Sequence, residues 1–172
     1  MGAKQQGADA ASGRWLVSAR TLCFILNGDD VLLMKRTSNT RIFPNKYNGV
    51  GGHIERDEDA YTSAKREILE ETGLAVQDLR LRAIHNIDAG ADSGIMMLVF
   101  TAVSDQREIT VETHEGTLHW IPVTEVANYD VVEDLTIILP RVLAMQPHDP
   151  PLFVHVSYDD TDQIVMQWAE QG

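Results

Sequence analysis

Residues 52–74 read GHIERDEDAYTSAKREILEETGL, and this segment decides how the rest of the chain is interpreted. Asp57 or Asp59 is suited to cap the start of a helix, and Gly73 is a typical helix stop. The segment therefore predicts a helix over about residues 57–72 that begins in an acidic turn and ends at a glycine.

The carboxylates of this helix are predicted to lie beside its apolar face. On a helical wheel the apolar stripe consists of Ala60, Tyr61, Ala64 and Ile68. Glu67, Glu70 and Glu71 overlap the edge of that stripe, whereas Leu69 falls on the opposite side. Partly burying unpaired carboxylates costs several kcal/mol, on the order of the penalties known for lone buried charges. A bound divalent cation, Mg²⁺ or alternatively Mn²⁺, would remove this cost. A solvated helix with salt bridges stays open as the alternative.

The spacing of the glycines, glutamates and arginine in this segment matches a known signature. The order is glycine, five residues, glutamate, seven residues, then REI, one residue, EE, one residue, and GL. This pattern resembles the Nudix box of the Nudix (MutT-type) pyrophosphohydrolases at every specified position. A chance match in a chain of this length is on the order of 10⁻⁸. The resemblance implies an α/β (α+β) Nudix fold, in which a curved mixed β-sheet is sandwiched between helices.

The resemblance also implies roles for individual residues. The implied metal ligands are the glutamates Glu67, Glu70 and Glu71, the carbonyl of Gly51, and Glu55 for a second ion. Arg66 matches the arginine that orients the catalytic glutamates, so Arg66, Glu70 and Glu71 are predicted to be catalytic. Glu58 matches a glutamate with a more structural role at the helix start. Asp57 stands where many members have glycine, which should alter the turn and not the chemistry.

Hydrolysis of a diphosphate needs positive charge, because the negative phosphate oxygens repel a nucleophile. Divalent ions screen that charge and activate a water. Lys35 and Arg36 lie on the loop side of the second predicted strand and are candidates to bind phosphates. A solvated strand end explains these two cations equally well.

Two further segments resemble the oxidised-purine (8-oxo-dGTP) diphosphatases. In KYNGVGG, Asn48 matches an asparagine that contacts the base. In VETHEGTLHW, Glu115 matches an acidic residue near the metals, which is a candidate general base or metal ligand. The alternative for Glu115 is an ordinary charge at a strand edge.

A third segment, DVVEDLTIILP, resembles the acidic pair that reads the base in the same subgroup. The match suggests Asp134 and, less surely, Glu133, since a carboxylate can bond the Watson–Crick edge of a purine. The spacing is one residue shorter, and Val131 or Val132 replaces the aromatic residue expected to stack on the base. Capping a helix is the alternative role for Asp134.

These matches predict metal-dependent hydrolysis of a nucleoside triphosphate, such as 8-oxo-dGTP, to a monophosphate and pyrophosphate. Another nucleotide derivative, such as a nucleotide sugar or ADP-ribose, is the alternative substrate. Gly90 stands in place of the proline that marks ADP-ribose hydrolases. A non-catalytic nucleotide sensor on the same fold is the alternative from another functional class.

The rest of the chain sets the broader expectations. The 172 residues carry a net charge of −12, which opposes binding to nucleic acids and anionic membranes. The single cysteine, Cys23, suits a reducing cytoplasm and is expected to be a buried small hydrophobe. Residues 1–13 are expected to be a flexible tail and residues 14–172 a single Nudix domain. The sequence leaves the oligomeric state undecided.

The apolar patterns outside the helix predict a mixed set of elements. A hairpin is expected around residues 27–30, and a second one around residues 159–162. Strands are predicted over 79–87, 94–104 and 116–123, a short helix or turn over 123–130, and a helix over 131–145. Pro140 should kink or break that last helix. Exposed polar roles are expected for His53, His85, His114 and His119.

Overall fold

The computed structural model describes residues 13–170, so the predicted flexible tail lies outside the described residues apart from Gly13. The strands are β1 (Leu16–Asn27), β2 (Asp30–Arg36), β3 (Tyr47–Asn48), β4 (Gln77–Ile87), β5 (Ser93–Val103), β6 (Gly116–Pro122), β7 (Leu152–Tyr158) and β8 (Ile164–Trp168). The α-helices are α1 (Ala60–Thr72) and α2 (Leu135–Ala144), and a 3-10 helix spans Val123–Asn128. The predicted strands and the short helix are therefore confirmed.

The strands form one eight-stranded mixed sheet. Its order is β3-β2-β1-β5-β4-β7-β8, and β6 pairs with β2 outside this path. The pairs β1–β5 and β4–β7 are parallel, whereas the other pairs are antiparallel. Both predicted hairpins are present, with Asn27 opposite Asp30 and Tyr158 opposite Ile164.

The sheet is sandwiched between the two helices, as predicted. Alternate residues of a strand point to opposite faces, so β1 contributes to two separate cores. Cys23 packs in a cluster with Ile68 of α1, and Phe24 packs in another with Ile138 of α2. Cys23 is fully buried, which confirms its expected role as a small core residue.

Helix α1 has the predicted ends. The Asp59 carboxylate accepts hydrogen bonds of 2.9 Å from the amides of Tyr61 and Thr62. Gly73 ends the helix in the left-handed conformation, at φ 72°, and its amide donates to the Leu69 carbonyl. The prediction that Tyr61 belongs to the buried stripe is wrong, because this residue is 50% exposed. It lies in the first helical turn, and its ring packs under the Lys65 ammonium, 5.9 Å away, instead of against the sheet.

Helix α2 begins later than predicted and continues through Pro140 to Ala144. Residues 131–134 do not join the helix, because Val131 pairs with Tyr47 beside β3. Pro140 lies on the exposed side of α2. The predicted break at Pro140 is therefore wrong.

The expected exposed role of His85 is also wrong. His85 is fully buried in β4, since β5 and β7 flank that strand on both sides. Neither ring nitrogen has a hydrogen-bond partner, and burial lowers the pKa of the imidazole from 6.5 to about 4. Among residues 13–170 no helix has the length and apolar character needed to span a membrane.

Candidate active site

The C-terminal half of α1 faces a backbone segment that runs along β1. Val50 pairs with Cys23, and His53 pairs with Arg20. Residues 50–53 therefore run antiparallel alongside β1. Between them, the amide of Gly51 donates a hydrogen bond of 3.0 Å to Oε2 of Glu71. The Glu71 side chain is thereby buried between the helix and the segment.

Arg66 contacts the other glutamates of the motif, one before α1 and two within it. Its Nε and Nη2 atoms donate to the two carboxylate oxygens of Glu58, at 3.0 and 2.6 Å. Its Nη1 atom donates to Glu67 at 2.9 Å and to Glu70 at 3.0 Å. A planar guanidinium fixes several acceptors at once, which suits an orienting role.

The three predicted ligands differ in burial. Glu71 is buried and the Glu67 side chain is only 14% exposed, but the Glu70 side chain is 58% exposed. The prediction that Glu70 overlaps the buried edge is therefore wrong. Its ion pair with Arg66, one helical turn earlier, keeps the carboxylate on the solvent side of the helix.

Gly52 leaves room for one of these carboxylates. A Cβ atom at Gly52 would clash with Oε1 of Glu67. The first glycine of the motif therefore lets the backbone approach Glu67 closely.

The carboxylates act on each other electrostatically. Burial raises the pKa of Glu71 to about 7, the Gly51 amide opposes this rise, and the charges of Glu115 and Glu67 add to it. Burial is also the main cause that raises the pKa of Glu67, with contributions from Glu70 and Glu115, although Arg66 opposes the rise. Glu115 thus belongs to the same cluster of negative charge.

Glu55 and Glu115, the two acidic residues outside α1 that were predicted to lie near the metals, are both exposed. Glu115 precedes β6, and its carboxylate lies 3.7 Å from a guanidinium nitrogen of Arg36. Arg36 also lowers the pKa of Glu71, which places this predicted phosphate-binding cation near the cluster. The carboxylate of Glu55 has no hydrogen bond or ion pair within residues 13–170, although its amide donates to Glu58.

The donor set fits a divalent cation in its chemistry. No three acidic, histidine or cysteine side chains of the described residues converge as a formed metal site. The reason is local, because Arg66 draws Glu67 and Glu70 toward itself while Gly51 holds Glu71. Burial, and to a lesser extent the neighbouring carboxylates, nevertheless raise the pKa values of Glu67 and Glu71, so their charged forms are disfavoured and a bound cation would stabilise them. The oxygen donors match Mg²⁺ or Mn²⁺.

The other predicted substrate residues are spread more widely. The Lys35 ammonium lies 5.7 Å from the centre of the Tyr47 ring. The Asn48 side chain accepts a hydrogen bond from the Gly49 amide, opposite Met34 in the sheet. Neither Lys35 nor Asn48 contacts the carboxylate cluster through a hydrogen bond or ion pair among the described residues.

Asp134 lines a separate cavity of about 150 Å³. It occupies the position before α2 but makes no side-chain capping hydrogen bond, so capping does not account for its placement. Lys46 and Tyr158 line the same cavity. Sequence reasoning missed these two residues, because they come from segments far apart in the chain and share no local pattern with Asp134.

The sequence signature on α1 and the mixed sheet packed between two helices are together typical of a Nudix-type domain. The chain belongs to the NUDIX domain family, whose model matches residues 17–142. The resemblance to the Nudix (MutT-type) superfamily is therefore confirmed.

The curated relatives match over different lengths. The nucleoside triphosphatase NudI of Escherichia fergusonii is 28% identical over 124 residues, which cover 64% of this chain and 86% of that protein. The m7GpppN-mRNA hydrolase NUDT17 of Danio rerio is 50% identical over 44 residues, covering 26% of this chain. That match spans only 15% of the NUDT17 protein, and the match to the Xenopus laevis protein spans 17%.

Solved structures show the same fold at low sequence identity. The MutT protein of Bacillus halodurans has a TM-score of 0.75 and 23% identity, over 91% of this chain and all of that chain. The NUDIX domain of Shewanella oneidensis NrtR, solved with ADP ribose, has a TM-score of 0.64 and 17% identity. That likeness covers 83% of this chain and 97% of the NrtR domain.

Proposed function

We propose that this chain is a metal-dependent Nudix pyrophosphohydrolase that cleaves a nucleoside diphosphate-linked substrate. The preferred substrate class is a nucleoside triphosphate, including modified purines such as 8-oxo-dGTP, with a monophosphate and pyrophosphate as products. The buried carboxylates of Glu67 and Glu71, on the helix that carries the family signature, support this proposal, because partly buried charged carboxylates are stabilised by a cation.

The residues of the chain have defined parts in this reaction. Mg²⁺ or Mn²⁺ would be held by Glu67, Glu70 and Glu71, with Gly51 and Glu55 as further ligands. When bound, the ion supplies positive charge for the phosphates and acidifies a water. Arg66 orients the glutamates through its fork of hydrogen bonds, and Arg36 and Lys35 supply positive charge for the phosphates.

Two carboxylates are suited to handle the proton of the attacking water. Burial and the charges of Glu115 and Glu67 raise the pKa of Glu71 to about 7 in the absence of a cation, and the positive charge of an ion bound to this carboxylate would lower it again. Glu115 is exposed beside Arg36 and lies near enough to influence Glu71. We assign Glu115 as the candidate general base and Glu71 primarily as a ligand.

The choice of a triphosphate draws support from one of the similar proteins. NudI is named a nucleoside triphosphatase and matches most of its own length. Asp134 and Asn48 are the proposed base contacts. ADP-ribose is the alternative substrate, since the NrtR domain was solved with it, and a nucleotide sugar or a non-catalytic sensor role are further alternatives. We also infer a single domain over residues 14–172 that acts in the cytoplasm.

The proposal is tested by incubating the purified chain with Mg²⁺ and a panel of nucleoside triphosphates, modified dNTPs, ADP-ribose and nucleotide sugars. Release of pyrophosphate or phosphate is the measured quantity. Glu70→Gln and Glu71→Gln should each lower turnover by about 10² or more. Glu125→Gln, an exposed glutamate in the 3-10 helix, is the control.

Full activity in both glutamine variants would refute the catalytic assignment. Tight nucleotide binding without turnover in either Mg²⁺ or Mn²⁺ would instead support the sensor.

A further inference from the structure

The sheet ends at β8, which is paired on one side only. This strand is the last in the strand order, and within residues 13–170 it pairs with β7 alone. Edge strands of a sheet are usually protected against further pairing by charged side chains, prolines or bulges. The residues Ile164–Trp168 include no proline and no charged side chain, and their pairing with β7 has no register shift. The edge of β8 is therefore open to a further strand.

The hydrogen bonds of the β7–β8 hairpin determine which backbone groups of β8 point outward. The amide of Ala169 donates to the Phe153 carbonyl, and the amide of Asp159 donates to the Gln163 carbonyl. Hydrogen-bonded positions alternate along an antiparallel pair, so the odd-numbered residues of β8 are bonded to β7. The even-numbered residues direct their amide and carbonyl groups away from the sheet. These residues are Ile164, Met166 and Trp168.

An open groove of about 510 Å³ adjoins this edge. Its lining includes Met96 and Phe153, and it reaches the edge strand at Gln167 and Ala169. The Phe153 side chain is 47% exposed. Ala169 lies opposite Phe153 and has only a methyl group, so it leaves the groove open toward the edge. An apolar side chain of an added strand would pass over Ala169 toward Phe153.

Acidic residues flank β8 at both ends. Asp159, Asp160 and Asp162 lie in the hairpin turn before the strand, and Glu170 follows it. None of these carboxylates has an ion-pair partner among the described residues. The chain as a whole has a net charge of −12. The edge should therefore attract a strand with basic ends and repel one with acidic ends.

The same charges oppose the pairing of β8 with a second copy of this chain. A two-fold arrangement centred on Met166 would use every outward-facing residue, with Ile164 of each copy opposite Trp168 of the other. One step further along, Asp162 of each copy would face Glu170 of the other. Like charges directly opposite each other on neighbouring strands are destabilising. The observations therefore favour a basic strand of a different protein.

We propose that β8 binds an extended segment of another protein by β-strand addition, and that this segment is apolar in its middle and carries lysine or arginine at both ends. The outward-facing groups of β8 supply the main-chain hydrogen bonds. The groove beside Phe153 receives an apolar side chain, and the acidic flanks select the basic ends.

The test is calorimetric titration of the full chain with synthetic nine-residue peptides, without metal or nucleotide. The probe is acetyl-KKVTVTFKK-amide. One control, acetyl-EEVTVTFEE-amide, keeps the apolar middle and reverses the charge of the ends. The other, acetyl-KKVTPPFKK-amide, keeps the basic ends, and one of its two adjacent prolines faces β8 in either register. We expect the probe to bind about tenfold more tightly than each control or better.

Met166→Pro assigns the binding to the edge of β8. The Met166 amide points outward, so proline at this position removes a donor for the peptide without removing a hydrogen bond to β7. The variant should bind the probe about tenfold more weakly or worse. Met166→Val keeps the amide and should bind like the wild type. Circular dichroism verifies that both variants are folded.

Glu170→Lys tests the role of the acidic flank. It replaces an attraction with a repulsion at one end of the peptide and should weaken binding of the probe by about threefold or more. Glu125→Lys changes the net charge equally at an exposed position in the 3-10 helix and should have little effect. If Met166→Pro does not fold, this pair of variants decides.

Equal affinity for the probe and its two controls would overturn the proposal. Full affinity in folded Met166→Pro would overturn it as well, because the peptide would then bind away from β8. Sedimentation equilibrium of the chain without peptide tests the competing occupant. A wild-type dimer that Met166→Pro converts to a monomer would show that the edge pairs with a second copy instead. These measurements need no turnover, so their outcome is independent of the proposed hydrolase activity.

Discussion

The amide of Gly51 donates a hydrogen bond to the carboxylate of Glu71, which lies 20 residues further along the chain. This single backbone donor partly stabilises a buried negative charge. It does not offset the burial and the like charges of Glu67 and Glu115, which together raise the pKa of Glu71 to about 7. A cation bound at this place should therefore stabilise the fold as well as assist the reaction.

We predict that Mg²⁺ raises the melting temperature of the chain. At a concentration about 100 times the Kd, binding to the native state alone adds about 2.7 kcal/mol, or about 5–10 °C for a chain of this size. Differential scanning calorimetry with a Mg²⁺ titration measures the effect. Glu71→Gln should lose most of it, whereas Glu125→Gln should keep it. An equal Mg²⁺ response in both variants would place the ion elsewhere.

Gly52→Ala should weaken Mg²⁺ binding by about tenfold or more while leaving the fold intact. The added Cβ would meet Oε1 of Glu67, the far end of a flexible side chain that can move away. Mg²⁺ affinity from the same thermal titration is the measured quantity. Glu67→Asp is measured alone and together with Gly52→Ala; if the added Cβ acts only by displacing the longer side chain, Gly52→Ala should weaken Mg²⁺ binding little further in the Glu67→Asp background. Unchanged affinity in Gly52→Ala would show that the close approach to Glu67 has no role in metal binding.

The sequence predicted the local features of α1 well. The capping residue, the glycine stop and the buried Ile68 all depend on neighbours within a few residues. The helical wheel predicted that Tyr61 and Glu70 lie at the buried side of α1, because it treats every residue on one face of the helix as covered by the sheet. Their positions are set by Lys65 and Arg66, which hold them on the solvent side.

Features that depend on distant contacts were predicted less well. His85 is buried because β5 and β7 flank β4 on both sides. The sequence around His85 does not reveal this strand order. Helix α2 starts late because Val131 pairs with Tyr47, which lies 84 residues earlier in the chain. The same pairing brings Asp134 to the cavity, together with residues that no motif connected.

His85 should make the stability of the fold sensitive to acid. Its pKa is about 4 when folded and about 6.5 when unfolded, so the unfolded chain binds more protons between these values. Stability is therefore lost as the pH falls from about 6.5 to about 4, by about 3 kcal/mol. Urea unfolding at several pH values measures the loss.

His85→Leu should remove that part of the acid sensitivity, because leucine keeps apolar volume and does not titrate. The carboxylates titrate in both proteins and cancel in the difference between them. His155→Gln, at an exposed position on β7, should behave like the wild type. Parallel pH profiles for wild type and His85→Leu would contradict the assignment.

Arg66→Lys should separate the geometry of the arginine from its charge. Arg66 contacts Glu58, Glu67 and Glu70 at once through three nitrogens, whereas a lysine keeps the charge as a single point. If Arg66 orients the glutamates, kcat should fall by about tenfold or more while the KM for the nucleotide changes little. Steady-state kinetics give both constants, and calorimetry verifies that the variant remains folded. Lys65→Met removes the neighbouring exposed cation and should leave kcat unchanged. Wild-type kcat in Arg66→Lys would mean that only the positive charge is needed, since the fork of hydrogen bonds is absent from that variant.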